Sequence, residues 1–238
     1  TAYLKLQKQY YWFGSGTSDA GWHNVTSGNY QQFNKAFTLL RSTDPKAGKS
    51  EWETVAANLS LSADGTYLAN GTGSGLPVYD ENGDPYYYCF KETLPEGWHA
   101  DGEADGTVYS NPVTLEEKLG HASSDPVEVI MGNTQNGTLT LTKKFIVLNS
   151  QGTKVEAKDE IATFDLYKKV GETFTKVNEN SYTTDASGKI TVTDLPVMDG
   201  NAAIEYYWVE TNAAGYLQES DNKITITVNG QELTAIGP

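Results

Sequence analysis

Residues 86–98 read YYYCFKETLPEGW, an aromatic strand that runs into a turn. Because side chains alternate between the two faces of a strand, Tyr88, Phe90 and Glu92 share one face and Cys89 lies on the other. The aromatic face is the better candidate for the core, so we expect Glu92 to point inward. A buried carboxylate is costly unless it is neutral or paired, and this position therefore needs a partner.

The same pattern returns later in the chain. Residues 206–216 read YYWVETNAAGY, so Tyr206, Trp208 and Glu210 fall on one face, and a Gly-aromatic pair follows as it does in the first stretch. A glutamate that recurs at a core-facing position is stronger evidence of a functional site than any single motif in this sequence.

The composition favours short strands and two domains. At 238 residues the chain can form two domains of ordinary size, each with its own core. Short runs rich in Thr, Tyr and Val, separated by Gly and Asn, predict many strands and turns. The chain shows no signal peptide and begins within a strand-like pattern, so we expect it to be a fragment excised from a longer protein.

Charge and ligand content argue against several classes of function. A net charge of −14 argues against nucleic acid or an anionic membrane as a partner, because phosphate groups require a positive surface. Three His and one Cys give no plausible zinc or iron–sulfur set and no internal disulfide, so we expect neither metal nor cofactor. No apolar run approaches the roughly 18–20 residues that span a bilayer, so no membrane segment is predicted.

The first strand carries a lysine that also repeats. In residues 4–10 (LKLQKQY), alternation places Lys8 in line with apolar side chains. Residues 139–145 (LTLTKKF) lie over this strand, so that Lys143 falls on Lys8. In the same alignment the second glutamate falls on the first. The repeat therefore includes both charged residues of the expected core.

A repeat of about 100 residues is too long for a solenoid unit and indicates tandem domains. We place them at residues 1–135 and 136–238. Seven or so short strands in each predict two immunoglobulin-like β-sandwiches, and an all-β chain. The alignment allows the second domain to lack its last strand, because the counterpart of Asn133 would fall on the terminal Pro238.

The last strand candidate of the first domain ends in an asparagine. In residues 127–133 (VEVIMGN), Val129, Met131 and Asn133 share a face. Lys8, Glu92 and Asn133 are thus all expected on core faces.

These residues resemble the CnaB-type domains of Gram-positive surface adhesins and pilins. The resemblance covers nearly the whole chain, twice. Its marks are a lysine that ends the first apolar face, an F-x-L strand, an L-P before a Tyr-rich strand, a Y-x-x-x-E-T before a Gly-aromatic turn, and a terminal Asn. The lysine is Lys8 in the first domain and Lys143 in the second, and the F-x-L strand is at 37–39 and 164–166. The L-P pair is at 76–77 and 195–196, and the Y-x-x-x-E-T motif is at 88–93 and 206–211. The terminal asparagine is Asn133.

The resemblance implies an extracellular structural module, an adhesin stalk or a pilin, in a parent protein anchored to the cell wall. It implies an intramolecular isopeptide bond between Lys8 and Asn133, formed with loss of ammonia and assisted by Glu92. In the second domain it implies that Lys143 reacts with assistance from Glu210. Neighbouring pilin or adhesin domains are the implied partners.

The chemistry of the residues agrees with this implication. Burial lowers the pKa of a lysine and raises that of a carboxylic acid, so such a pair can be a neutral amine and a neutral acid. The amine can then attack the amide carbon while the acid polarises its oxygen and moves protons. This is a single-turnover step and not enzyme activity on a substrate. The alternative is a structural Lys–Glu ion pair with a hydrogen-bonded Asn.

The acceptor for Lys143 stays unassigned. Asn229 alternates opposite to the apolar residues of its strand and is expected to face solvent. Asn222 has the right alternation but lies at the start of the penultimate strand.

Three further features are candidate sites. Cys89 resembles the cysteine of thioester domains, but the repeat already explains its surroundings. The acidic turn at 80–84 lacks the spacing of a calcium loop. Trp12, Phe13 and Trp22, in a polar insertion at 11–35, could form a platform for a host protein or glycan, or could cap the sandwich. A ligand-binding adhesin or carbohydrate-binding sandwich is therefore the alternative function.

Overall fold

The computed structural model describes residues 1–13, 20–71, 73–157, 160–200 and 202–212, together with the backbone of 223–228 and 231–236. The chain divides into two compact units, Thr1–Thr134 and Gln135–Pro238. The regular elements of the described residues are strands and three single-turn 3₁₀ helices, so the predicted all-β fold class is confirmed. None of the helices in these ranges is long and apolar enough to cross a membrane.

The first unit contains ten strands in the part that the structure describes. They are β1 Leu4–Trp12, β2 Gly21–Asn24, β3 Phe37–Ser42, β4 Glu53–Leu59, β5 Thr66–Ala69, β6 Tyr87–Thr93, β7 Trp98–His99, β8 Thr107–Tyr109, β9 Val113–Thr114 and β10 Val127–Gln135. The 3₁₀ helices are η1 Tyr30–Phe33, η2 Lys49–Glu51 and η3 Glu116–Lys118.

Two sheets enclose the core of the first unit. One has the order β2-β1-β10-β7, with β5 also paired to β1, and the other has the order β4-β3-β6-β8, with β9 also paired to β6. The first and last strands, β1 and β10, are parallel neighbours whose register joins Leu4 to Val127 and Tyr10 to Asn133. Their inward side chains meet those of β3 and β6 in one continuous apolar cluster that includes Leu6, Phe90 and Met131.

The second unit is described in twelve strands. They are β11 Gly137–Thr142, β12 Phe145–Leu148, β13 Lys154–Ala157, β14 Thr163–Val170, β15 Thr173–Lys176, β16 Tyr182–Thr183, β17 Lys189–Leu195, β18 Met198–Asp199, β19 Ala202–Ala203, β20 Glu205–Asn212, β21 Lys223–Val228 and β22 Gln231–Ile236. One sheet has the order β17-β11-β21-β22, and another has the order β15-β14-β16, with β20 also paired to β14. The pairs β12-β13 and β18-β19 stand as separate two-stranded sheets.

The internal repeat is visible in matching hydrogen bonds. The Tyr88 hydroxyl donates to the Pro77 carbonyl at 2.6 Å, and the Tyr206 hydroxyl donates to the Pro196 carbonyl at the same distance. The backbone N–H of Lys8 donates to the Gly65 carbonyl at 2.9 Å, and that of Lys143 donates to the Gly188 carbonyl at 2.7 Å. The backbone of each lysine therefore makes the same hydrogen bond to a turn glycine of its unit.

The two glutamates also occupy the same register. Glu92 of β6 pairs with Phe37 of β3, and Glu210 of β20 pairs with Phe164 of β14. The units differ in the strand beside the first strand, because β10, the last strand of its unit, runs parallel to β1, whereas β21, the penultimate strand of its unit, runs antiparallel to β11 and pairs with β22. The strand beside the lysine strand is therefore reversed in the second unit.

Two local features of the first unit follow from its strand pairing. The insertion at 11–35 is not a plain loop, because Tyr11 and Trp12 extend β1 and pair with β2 as an antiparallel hairpin. Strands β8 and β9 are separated at Ser110-Asn111-Pro112. A proline cannot donate to a strand ladder, which accounts for the break.

Candidate functional site

Three polar side chains of the first unit meet inside its core. Lys8 Nζ donates to Glu92 Oε2 at 2.7 Å, and Asn133 Nδ2 donates to Glu92 Oε1 at 2.7 Å. Lys8 and Glu92 are fully buried, and Asn133 is 1% exposed. The carboxylate of Glu92 thus bridges the lysine and the asparagine.

Strand alternation places all three. Lys8 follows Leu4 and Leu6 on the inward face of β1. Asn133 lies on the inward face of β10, two residues beyond Met131, which is the register partner of Lys8. Glu92 comes from β6 in the facing sheet. The site therefore joins the first and last strands of the unit through a residue of the opposite sheet.

Aromatic rings surround the amine. Lys8 Nζ lies 5.2 Å from the ring centroid of Phe33, on η1, and 5.8 Å from that of Phe37, on β3. Burial lowers the pKa of Lys8 from 10.5 to about 8, although the charge of Glu92 and its hydrogen bond act in the opposite direction. The lysine is therefore closer to releasing its proton than a surface lysine is.

The asparagine is incompletely bonded. Its Oδ1 is buried and has no hydrogen-bond partner, although its Nδ2 is satisfied by Glu92. A buried carbonyl without a donor costs free energy of about 1–3 kcal/mol. The carbonyl carbon of Asn133 is the electrophile of the site, and the fold supplies no hydrogen-bond donor to its oxygen.

The corresponding pair of the second unit is more exposed. Lys143 Nζ lies 2.8 Å from Glu210 Oε1 and 2.9 Å from Oε2, with the two side chains 18% and 11% exposed. The Phe145 ring centroid lies 5.3 Å from the amine. Asn222, Asn229 and Pro238, the candidate positions of an acceptor, lie outside the described residues.

Cys89 is buried, although alternation places it opposite to the expected core face. It lies on the face of β6 opposite to Phe90, as alternation predicts, but it is fully buried beneath Leu40 and Trp52. Burial raises the pKa of its thiol to about 11, which disfavours the reactive thiolate. Sequence reasoning missed this small cluster because the pattern around Trp52, between η2 and β4, fits a strand and a helical turn equally well.

The acidic turn binds its own backbone. Asp80 Oδ1 accepts the N–H groups of Asn82 and Asp84 at 2.9 and 2.8 Å. Within the residues that the structure describes, no group of three or more His, Cys, Asp or Glu is placed to hold a metal ion.

The aromatic side chains of the insertion lie on the β1–β2 hairpin. The Tyr11 ring packs edge-to-face on Phe13 and on Trp22, with centroids 5.0 and 5.5 Å apart. Trp22 is 38% exposed, and its indole lies against Gly132 of β10. Sequence reasoning missed that contact, although an isolated glycine in a strand signals a close approach.

The second unit matches a known family. Residues 149–236 match the family described as SpaA, prealbumin-like fold domain. This match confirms the resemblance to CnaB-type domains of Gram-positive pilins and adhesins for that unit. None of the curated proteins matches the chain.

Solved structures similar to the chain include two pilins and a repeat unit of a collagen-binding surface protein. Shaft pilin spaA of Lactobacillus rhamnosus GG (a D295N mutant) is 18% identical with a TM-score of 0.37, and the match covers 98% of this chain and 93% of that one. A single B repeat unit of the collagen-binding surface protein of Staphylococcus aureus is 14% identical with a TM-score of 0.27, covering 98% and 96%. SpaE basal pilin of L. rhamnosus GG is 13% identical with a TM-score of 0.27, covering 94% and 84%. With such low TM-scores, the assignment of fold rests on the family match and on the strand topology.

Proposed function

We propose that this chain, whose second unit is a SpaA-type prealbumin-like domain, is a structural module of a Gram-positive pilin or adhesin stalk. Its first unit closes itself with an isopeptide bond between Lys8 and Asn133. The observation that carries the proposal is the buried trio of Lys8, Glu92 and Asn133 on the first strand, the facing sheet and the last strand. The module is extracellular, and its parent is anchored to the cell wall.

The reaction begins when Lys8 transfers a proton to Glu92, which leaves a neutral amine beside a neutral acid. The amine lone pair attacks Cγ of Asn133 while the acid donates a hydrogen bond to the otherwise unpartnered Oδ1. The new Nζ–Cγ bond forms, the Cγ–Nδ2 bond breaks, and Glu92 carries a proton from Nζ to Nδ2. One amide and one ammonia are the products.

The surroundings favour this reaction over a permanent ion pair. A buried ion pair gains little net stability, because removing two charges from water costs as much as their attraction returns. The same burial lowers the Lys8 pKa. The fixed strands also hold the amine and the amide in one site, so the entropy cost of bringing them together is met by folding and not by the reaction. Forming a neutral amide removes the buried charges altogether.

The intact mass of the purified chain tests the proposal. We expect the mass to be lower than the sequence mass by one ammonia, and tryptic digestion to yield the strands around Lys8 and Asn133 as one branched peptide. Separate linear peptides for these two strands would refute the bond.

The second unit is expected to contribute no further loss. Lys143 lies just beyond the end of β11, whose neighbour β21 is antiparallel, and the Lys143–Glu210 pair is partly exposed to water. This pair is therefore less completely removed from water than the fully buried pair of Lys8 and Glu92. A loss of two ammonia molecules would show instead that Lys143 finds an acceptor.

Bond formation should depend on pH in a particular direction. The proton that Lys8 passes to Glu92 supplies the acid that assists Asn133. Because the Lys8 pKa is about 8, this proton is lost above about pH 8, and no acid then remains to assist Asn133. The rate should therefore fall above about pH 8, by up to roughly tenfold per pH unit.

The measurement starts from unlinked chain recovered in urea and diluted into buffers from pH 6 to 10, with the branched peptide quantified over time. Folding at each pH is followed separately by circular dichroism, so that slow folding is not taken for slow chemistry. A rate that rises steadily to pH 10 would indicate attack by an ordinary free amine without acid assistance.

A binding module is the second candidate. The observation that favours it is the partly exposed group of Tyr11, Phe13 and Trp22, with Trp12 at the end of the same strand. A host protein or a glycan would be its partner, since exposed aromatic rings suit both. One face of Trp22 is already covered by Gly132, so the structural module is the better-supported function.

A further inference from the structure

The β1–β2 hairpin places one large ring beside the reactive strands. Trp22 pairs with Tyr11 in the hairpin register, yet its indole lies against Gly132 of β10. Since β1 separates β2 from β10 and neighbouring strands are about 4.8 Å apart, the side chain crosses about 10 Å of the sheet surface. Trp22 thus ties together two strands that do not pair with each other.

Along the parallel pair of β1 and β10, the contact lies at the residue pair between the level of Lys8 and the level of Asn133. Gly132 pairs with Gln9, the residue after Lys8, and it directly precedes Asn133. Alternation places Gly132 on the outer face of the sheet, while Lys8 and Asn133 point inward. The indole therefore covers the outer side of the backbone that presents the asparagine.

The glycine is required by the indole and not by the backbone. A β-carbon on residue 132 would lie 2.5 Å from Trp22 Cζ3, 2.9 Å from Cη2 and 3.0 Å from Cε3. Gly132 does not adopt the left-handed backbone that would itself favour glycine. The close approach is therefore a specific fit between one side chain and one position of β10.

We propose that Trp22 is a positioning residue for the crosslinking reaction. By packing on Gly132 across β1, it fixes the depth and register of β10 beside β1, and so holds the Asn133 amide against the Lys8 amine. Reaction rates of held groups are sensitive to small displacements, and a shift of about 1 Å can cost about 100-fold. This inference rests on the proposed isopeptide bond.

The test compares matched glycine substitutions. Gly132→Ala introduces the clash with Trp22, whereas Gly28→Ala adds a methyl group in the same unit where no atom lies within 4 Å and the backbone is likewise not left-handed. Trp22→Ala removes the indole, Trp22→Phe keeps a smaller ring, and the double variant Gly132→Ala/Trp22→Ala removes the clash. The branched peptide is quantified over time after dilution from urea.

We expect Gly132→Ala and Trp22→Ala to slow bond formation by at least about tenfold. A displacement of the Asn133 amide by up to about 1 Å is enough for an effect of this size. Gly28→Ala should match the parent chain, and Trp22→Phe should recover part of the rate. The double variant should be no slower than Trp22→Ala alone, because both changes act on one contact.

The same substitutions in an Asn133→Ala background, which cannot react, separate chemistry from folding. We expect the folding rates in that background to change less than the rates of bond formation do. If folding slows in proportion to crosslinking, or if all five variants crosslink at the parent rate, Trp22 does not position the reaction. If the parent chain itself loses no ammonia, the proposed bond is wrong, and this outcome is distinct from the others.

Discussion

Replacing Lys8 with Ala should lower the unfolding temperature of the first unit by roughly 10–20 °C, whereas replacing Lys5 should change it by no more than a few degrees. Both lysines lie on β1 and each forms an ion pair with a glutamate, so they form a matched pair. Lys5 Nζ meets Glu128 at 2.6 Å, with the two side chains 30% and 54% exposed. An exposed ion pair of this kind contributes only about 0–1 kcal/mol.

The difference comes from the covalent bond. A link between Lys8 and Asn133 encloses about 125 residues, which is nearly the whole first unit. By analogy with disulfides, closing a loop of about 100 residues stabilises the folded state by about 4–5 kcal/mol, chiefly by restricting the unfolded chain. Lys8→Ala also leaves the buried carboxylate of Glu92 without its counter-charge, with only the Asn133 amide as a hydrogen-bond partner, which adds to the loss.

Calorimetry on the whole chain, with limited proteolysis to locate the unit that opens first, measures the effect. Asn133→Ala serves as a second variant, because it also prevents the bond but keeps the Lys8–Glu92 ion pair. It should lose most of the same stability and should fold even if Lys8→Ala does not. Equal unfolding temperatures for Asn133→Ala and Lys5→Ala would contradict the scheme.

Replacing Glu92 with Ala should stop bond formation in a chain that still folds. The amine of Lys8 and the amide of Asn133 both remain, but the group that bridges them at 2.7 Å on each side is lost. Proton transfer by a positioned group contributes about 100-fold to 10,000-fold in rate. We therefore expect the ammonia loss to become undetectable over hours.

Glu210→Ala is the control for this change. Glu210 has the same register position against Phe164 that Glu92 has against Phe37, and it is also paired with a lysine. Its removal should leave the mass deficit of the chain unchanged. Full ammonia loss in Glu92→Ala would show that Glu92 is only structural.

Alternation along strands was enough to predict the buried trio. Lys8, Glu92 and Asn133 each share a face with apolar neighbours, and the period of two leaves little choice of side when one face is buried. The pairing that joins them, with β1 parallel to β10, could not be predicted in this way, because alternation within a strand carries no information about its neighbours or their direction.

Features that depend on distant contacts were also hidden from the sequence. The burial of Cys89 depends on Trp52, which arrives from another part of the chain. The second unit shows the same limit, because its lysine and glutamate repeat in sequence and register, but the direction of β21 changes what lies beside the lysine strand. A repeated motif specifies equivalent positions, and the strand that pairs with the first strand of each unit changes the environment near that position.

The parallel arrangement of β1 and β10 has a mechanical consequence. The chain enters the first unit at the start of β1 and leaves it at the end of β10, so tension along a stalk would load the two strands lengthwise, in shear, and would strain all the hydrogen bonds of the pair together. With Lys8 joined to Asn133, the pulling force would pass directly from one strand to the other through the amide. The intervening residues would lie outside the path of the load, and the first unit would transmit tension as a short covalent segment without needing its fold to resist extension.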